Sequence, residues 1–234
     1  QTKCFLGIEK VIVVSFNSED RNEDTSAVKL TALAEAGKRI RYGVLQVDPV
    51  VLASNQAIEN HCDDGNPPET AAHFAAVREA VGPDIKLLID CHGRFTVTNC
   101  IRLARALEAC NLYVFEDPVP PEDLNAYPKV RQEISIPVMG SERLNTKSHY
   151  RQLLDLNGID IAQPDLMYAG GITEVRKIAA IADTFHVPIS PHNTKGPVGI
   201  IAAAHLMASI PNVAPMEFVT GIEWRDEIIT EPLK

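Results

Sequence analysis

The sequence predicts an α/β protein, a TIM-type (β/α)8 barrel, and three observations lead to that fold class. The chain has 234 residues, a length that one such barrel commonly occupies. From residue 83 onward, short apolar runs alternate with amphipathic stretches, which is the pattern of repeated βα units with parallel strands. Two weaker strand signals upstream raise the number of strands to eight, the number that closes a barrel.

The elements follow from apolar runs and from helical spacing of apolar residues. The predicted strands are Lys10–Phe16, Tyr42–Val47, Lys86–Ile89, Tyr113–Phe115, Ile136–Met139, Gly158–Ala162, Val187–Ser190 and Val213–Glu217. The predicted helices are Thr25–Ala36, Ala71–Val81, Thr96–Cys110, Pro121–Glu133, Thr146–Leu156, Ile172–Phe185 and Val198–Ser209. The long stretch from Asp48 to Thr70 is either a functional loop or disordered. Because no linker or low-complexity tract divides the chain, we expect one domain over residues 1–234.

The composition excludes several classes of protein. Hydrophobic residues make up 45% and charged residues 23%, as in globular proteins, and no apolar run approaches the ~18 residues of a membrane helix. The net charge of −9 makes nucleic acid a poor partner. The first residues lack the apolar core of a signal peptide. The cysteines are five in number, scattered and without a C-x-x-C pair, so we expect a reducing, cytoplasmic location.

The most informative feature is the even spacing of ionisable residues near the ends of the predicted strands. Successive members lie 26, 26, 23, 27 and 25 residues apart, which is close to the length of one βα unit, and they are Asp90, Glu116, Glu142, Asp165, His192 and Glu217. A single carboxylate after an apolar run is usually a helix cap or a solvated loop residue. Six at this spacing would converge on the carboxyl-terminal rim of a barrel, where active sites of this fold lie.

The residue types in this series indicate a metal centre with a base beside it. Asp90, Glu116 and Glu142 offer oxygen ligands from neighbouring strands, which suit Mg²⁺ better than Zn²⁺. Asp165 could hydrogen-bond the imidazole of His192, fix its tautomer and raise its basicity. His92 lies two residues beyond Asp90, so on an extended strand both side chains would point the same way.

These residues stand in motifs that resemble the mandelate racemase branch of the enolase superfamily, and most closely its galactonate/gluconate dehydratase group. The resemblance covers roughly residues 80 to 220 and is specific as an ordered set. The motifs that carry it are Ile89-Asp90-Cys91-His92-Gly93-Arg94, Phe115-Glu116-Asp117-Pro118, Glu142-Arg143-Leu144, Asp160-Ile161-Ala162-Gln163-Pro164-Asp165 and Pro191-His192-Asn193.

The resemblance implies a role for each site residue. Asp90, Glu116 and Glu142 would bind Mg²⁺, and His192 with Asp165 would abstract the proton next to the carboxylate of a sugar acid. His92 would expel the 3-hydroxyl and leave a 2-keto-3-deoxy acid, and Glu217 would hydrogen-bond the developing enediolate. The residues expected to bind the substrate are Gln46, Arg143 and Asn193. A homo-oligomer is expected, because barrels of this kind commonly pair.

Two departures from the family pattern keep alternatives open. Gln46 stands where relatives often carry a Lys on the second strand. The family also precedes its barrel with a capping domain, which we expect to be absent or truncated here. An epimerase that uses His92 and His192 as opposed bases, and a metal-binding barrel without activity, therefore remain alternatives to the dehydratase.

Overall fold

The structure of the chain is a computed structural model that describes residues 11–15, 44–46, 67–84, 86–194, 196–217 and 227–230. For the first two of these ranges it describes the backbone. The predicted helix Thr25–Ala36, the side chain of Gln46 and most of the stretch from Asp48 to Thr70 lie outside the described residues.

One parallel sheet of six strands organises the molecule. Its strands are β1 (Val11–Ser15), β2 (Val44–Gln46), β3 (Lys86–Asp90), β4 (Val114–Glu116), β5 (Val138–Gly140) and β6 (Ile161–Ala162). The two remaining predicted strands continue the sheet as single parallel bridges, from Ala162 to Ile189 and from Ile189 to Val213. The described residues thus contain eight parallel segments, and the α/β barrel fold predicted from the sequence is confirmed.

The first two strands are the exception to the sequential order of a simple barrel. β1 lies between β2 and β3, so the order is β2-β1-β3-β4-β5-β6. The apolar segment β1 is five residues long and pairs along the whole of β3, from Val11 opposite Lys86 to Ser15 opposite Asp90. β2 is three residues long and, among the described residues, pairs with β1.

Helices follow the strands at the predicted positions, with shifted ends. They are α1 (Pro67–Val81), α2 (Val97–Leu107), α3 (Ala126–Arg131), α4 (Lys147–Asp155), α5 (Ile172–Asp183) and α6 (Pro197–Met207), and a 3-10 turn (Glu108–Cys110) follows α2. None of the helices in the described part of the chain has the length and apolar character needed to cross a bilayer.

The helix predicted over Pro121–Glu133 is wrong in its first five residues. The side chain of Asp123 accepts a hydrogen bond from the backbone N–H of Asn125, and the N–H of Ala126 bonds the carbonyl of Asp123. Such a local side-chain bond offers the backbone an alternative to helix, so the segment forms turns and α3 begins at Ala126.

Side-chain alternation along the strands determines which polar residues face the inside of the sheet at its carboxyl-terminal rim. A small apolar cluster takes one residue from each of four neighbouring strands, namely Leu88, Val114, Met139 and Ile161. Because side chains two residues apart on a strand share a face, Asp90 and Glu116 project on the same side as Leu88 and Val114, one layer nearer the carboxyl ends. The opposite face packs against the helices, such as the buried stripe of α2 at Cys100, Leu103, Ala104 and Leu107.

Candidate active site

Three carboxylates occupy the carboxyl-terminal ends of neighbouring strands. Asp90 is the last residue of β3, Glu116 is the last residue of β4, and the two are direct partners in the register of the sheet. Glu142 follows the end of β5 by two residues. Asp90 and Glu116 are buried, with 7% and 5% of their surfaces exposed, and Glu142 is half-buried.

The electrostatics of these carboxylates favour a cation. Burial raises the pKa of Glu116 well above its usual range, and the charges of Asp90, Glu217, Asp117 and Glu142 raise it further. A buried carboxylate among like charges is poorly stabilised, and a bound cation reverses that effect.

The residues that could hold such a cation are partly engaged with other groups of the protein. In the part of the chain that the structure describes, no three acidic, His or Cys side chains form a ready-made metal site. Both oxygens of Asp90 face His92, since Oδ1 accepts the backbone N–H at 2.8 Å and Oδ2 lies 2.8 Å from Nε2. By contrast, Glu142 Oε2 is buried and has no hydrogen-bond donor. Three carboxylates with one orphaned oxygen fit the hard oxygen ligation that Mg²⁺ requires.

Gln163 is a member of the site to which the sequence analysis assigned no role. Its side chain is almost fully buried, and Nε2 donates to Glu116 Oε1 at 2.5 Å while Oε1 has no partner. Gln163 lies two residues beyond Ile161, so strand alternation alone points it at the rim. It holds one oxygen of Glu116 in place.

His192 and Asp165 form the pair that the sequence predicted. The two residues are bridge partners across neighbouring segments, and His192 Nδ1 lies 2.6 Å from Asp165 Oδ2. Burial lowers the pKa of His192, but the bond to Asp165 and the charges of Glu217 and Glu142 outweigh it and leave this pKa above its usual value. His192 is therefore a more basic imidazole than a solvated one.

Asp165 is itself held by the backbone. Its Oδ1 accepts hydrogen bonds from the N–H groups of Met167 at 2.7 Å and Tyr168 at 3.1 Å, and 1% of the residue is exposed. The carboxylate therefore cannot turn away from His192. With Nδ1 occupied by Asp165, the other ring nitrogen of His192 is the one that faces the rim, 3.5 Å from Glu217 Oε2.

His92 lies at the predicted place but for a different reason. β3 ends at Asp90, so the argument from an extended strand is wrong, and His92 instead occupies a turn with φ of 49°. The hydrogen bond to Asp90 raises the pKa of His92, although burial opposes this. Its Nδ1 is buried without a hydrogen-bond partner. The turn, rather than the strand, brings this imidazole against the carboxylates.

The expected substrate-binding residues differ in their surroundings. Arg143 Nη2 donates to the carbonyl of His92 at 2.9 Å, so its guanidinium is directed at the protein. Asn193 is 2% exposed, and its backbone N–H donates to Glu217 Oε2 at 3.0 Å. Of Gln46 the structure describes the backbone, in β2.

A buried polar network underlies the third carboxylate, and no motif had assigned it a role. Asp117 is fully buried, and it accepts hydrogen bonds from the hydroxyls of Tyr127 at 3.2 Å and Ser141 at 3.0 Å. Burial raises the pKa of Asp117 well above its usual range, and the charge of Glu142 raises it further. Tyr150 donates to the carbonyl of Ser141 at 2.6 Å. The network fixes the segment that carries Glu142.

Comparison with known proteins adds a family to this geometry. Residues 27–234 match the family described as Enolase C-terminal domain-like. The matched range contains all six of the evenly spaced ionisable residues.

Individual relatives cover part of the chain. D-xylonate dehydratase of Haloferax volcanii is 38% identical over 157 residues, which are 67% of this chain and 38% of that protein. D-galactarolactone cycloisomerase of Agrobacterium fabrum is 38% identical over 170 residues, or 69% and 45% of the two chains. The crystal structure of the 3,6-anhydro-D-galactonate cycloisomerase from Zobellia galactanivorans has a TM-score of 0.74 and 31% identity, and the match covers 94% of this chain and 56% of that one. The matched part is less than half the length of both curated relatives.

Proposed function

This chain belongs to the enolase C-terminal domain-like family, and from that premise we propose that it is the barrel of a Mg²⁺-dependent sugar-acid dehydratase. The resemblance to the enolase superfamily drawn from the motifs is confirmed by that match. The observation that carries the proposal is the pair of imidazoles at one rim. His192 is held by Asp165, and His92 lies against Asp90.

Asp90, Glu116 and Glu142 are the residues that would hold the ion. When bound, Mg²⁺ supplies positive charge that stabilises the negative charge formed as a proton leaves the carbon next to a carboxylate. The raised pKa of Glu116 and the orphaned Oε2 of Glu142 support this assignment.

His192 is the proposed base. Nε2 accepts the proton from the carbon next to the substrate carboxylate, while Asp165 keeps the proton of Nδ1 in place and stabilises the imidazolium that forms. Glu217 lies beside Nε2, and burial raises the pKa of its carboxyl group. This direction favours the protonated carboxyl group, the form that can donate a hydrogen bond to the oxygen on which negative charge develops.

His92 is the proposed acid. Its contact with Asp90 favours the protonated imidazole, which can give its proton to the 3-hydroxyl as the carbon–oxygen bond breaks. Water leaves, and the enol that remains becomes a 2-keto-3-deoxy acid. The reaction balances without an oxidant or a second substrate.

A second candidate is a cycloisomerase, because two of the compared proteins carry that name. On this site the same proton would be removed by His192, but the leaving oxygen would belong to a ring and would stay in the product. The two candidates therefore differ in whether water is released.

Product masses from a panel of aldonic acids, aldaric acids and their lactones, with Mg²⁺ present, test the proposal. This chain and the complete product of its gene are assayed in parallel. Loss of one water with a 2-keto product supports the dehydratase, and an opened ring at unchanged mass supports the cycloisomerase. Deuterium incorporation at C2 with neither change would indicate an epimerase. Stabilisation by Mg²⁺ without turnover of any compound would indicate a barrel that binds metal only.

A further inference from the structure

The geometry points to Arg143 as the positioning residue of His92, a role different from the substrate contact that the sequence suggested. Arg143 follows Glu142 directly, yet its side chain reaches past the loop after β4 to the turn after β3. The inference rests on the proposed function in one respect, that His92 is the acid of the reaction.

The guanidinium links three loops at the rim. Nη2 donates to the carbonyl oxygen of His92 at 2.9 Å, and Nε lies 3.7 Å from Asp117 Oδ2, in the loop after β4. The backbone N–H of Arg143 donates to Ser141 Oγ at 3.3 Å, in its own loop after β5. Asp117 also connects the loop after β4 to the turn after β3, because its backbone carbonyl accepts a hydrogen bond from the N–H of Gly93 at 2.7 Å.

Gly93 is the residue that permits this approach. A Cβ placed on Gly93 would lie 2.1 Å from Arg143 Nη2, so the end of the Arg143 side chain would have to move, and 3.0 Å from the carbonyl oxygen of Val119, a tight contact. The φ of Gly93 is +62°, a conformation that glycine adopts without the cost other residues incur. The lack of a side chain at Gly93 therefore leaves the space that the end of the Arg143 side chain occupies.

The arrangement requires arginine and not only a positive charge. A planar guanidinium can donate to the His92 carbonyl and face the Asp117 carboxylate at the same time, whereas the ammonium of lysine is a single point. Because His92 itself has a φ of +49°, its imidazole direction depends on how this turn is held. Loss of the guanidinium would remove one of the contacts that join this turn to its neighbours, beside the backbone bonds from Cys91 to Glu116 and from Gly93 to Asp117.

The test compares R143K and R143M with the wild type and with R151K, in two measurements. Arg151 lies on α4, where it pairs with the exposed Asp155, so R151K is a matched change away from the rim. The first measurement is hydrogen exchange of the Gly93 amide, which needs no substrate. The second is the ratio of two rates, product formation and exchange of the C2 proton with solvent. C2 exchange depends on His192, the proposed base, whereas product formation also depends on His92, the proposed acid.

We expect both Arg143 variants to exchange the Gly93 amide about tenfold faster than the wild type. Product formation should fall about 10- to 100-fold relative to C2 exchange, with little change in KM, as for other outer residues that orient a reacting group. R151K should match the wild type in both. R143K keeps the charge and most of the stem, so it carries the test if R143M does not fold.

Unchanged protection of the Gly93 amide in R143K would overturn the inference, whatever reaction the protein performs. A rise in KM with product formation and C2 exchange falling together would overturn it as well, because that pattern belongs to a residue that binds the substrate. If the wild type turned over none of the acids, the proposed function would fail, while the amide exchange would still decide whether Arg143 holds the turn.

Discussion

At the scale of single residues, the site brings together carboxylates whose like negative charges repel one another. Glu116 is 5% exposed and lies beside Asp90 on the neighbouring strand, with Glu217 and Asp117 close enough to raise its pKa. A folded state that raises the pKa of a carboxyl group binds a proton more tightly than the unfolded chain does. That contribution to stability is present below the unfolded pKa and is lost as the pH rises through the folded pKa.

The variant E116Q tests this reasoning on metal-free protein. We expect the melting temperature of the wild type in EDTA to fall as the pH rises from the usual range of carboxyl pKa values toward neutrality. E116Q should show a shallower fall, because the amide carries no charge. The exposed Glu122 offers the control E122Q, which should follow the wild type. An E116Q curve parallel to the wild type would contradict the account.

Residue-scale prediction from the sequence succeeded where spacing was the signal. The sequence spacings from Asp165 to His192 and from His192 to Glu217 predicted that these residues lie on neighbouring strands. In the structure His192 contacts both of the other two. It failed in its reason for His92: the predicted strand already ended near Asp90, at Ile89, but the apolar pattern does not reveal that the residues after it form a left-handed turn. The alternation of side chains along β6 would have predicted that Gln163 lies at the rim. The predicted series contained ionisable residues only, so the uncharged Gln163 was left out.

At the scale of elements, hydroxyl caps set where two helices begin. The N–H of Asn99 bonds the hydroxyl of Thr96 before α2, and the N–H of His149 bonds that of Thr146 before α4. Both helices start one residue after the cap, at Val97 and at Lys147. The apolar spacing predicted both helices to begin at the threonine itself, within one residue of the observed starts. The start of α3 was mispredicted, because the turn at Asp123 competes with the helix.

The cap variants T96A and T146A should each lower the free energy of unfolding by about 1 kcal/mol, the usual loss when an N-cap becomes alanine. Chemical denaturation measures this directly. Thr173 lies in the first turn of α5 without a cap bond to its side chain, since the cap residue there is Gly171. T173A is therefore the matched control and should not be destabilised. Equal losses in all three variants would show that the caps are not the cause.

At the scale of the whole molecule, ionisable residues that are evenly spaced in the sequence lie together at one rim of the barrel. The parallel strands turn steps of one βα unit into neighbouring strand ends, which is why the barrel and the carboxylate positions were predictable together. The exchanged positions of β1 and β2 were not predictable, because strand pairing depends on segment length and on contacts that are distant in the chain. The homo-oligomer and the single domain over residues 1–234 stay predictions.

Binding of Mg²⁺ should stabilise the whole fold. A ligand at a hundredfold excess over its Kd adds about 2.7 kcal/mol, which is about 5–10 °C in melting temperature for a protein of this size. Thermal unfolding in EDTA and in Mg²⁺ measures the shift, which D90N and E142Q should abolish. E108Q, at an exposed residue of the 3-10 turn, should keep it. A full shift in D90N and E142Q would remove these residues from the metal site.

We propose that His192, held by Asp165, removes the proton next to the carboxylate of a sugar acid. Proton NMR in D₂O, with Mg²⁺ and an acid that the wild type turns over, follows the C2 hydrogen directly. The account predicts that the wild type loses this signal as product forms. H192N and D165N should slow that loss by about a hundredfold or more while remaining folded. Loss of the C2 signal at the wild-type rate in H192N would contradict the claim.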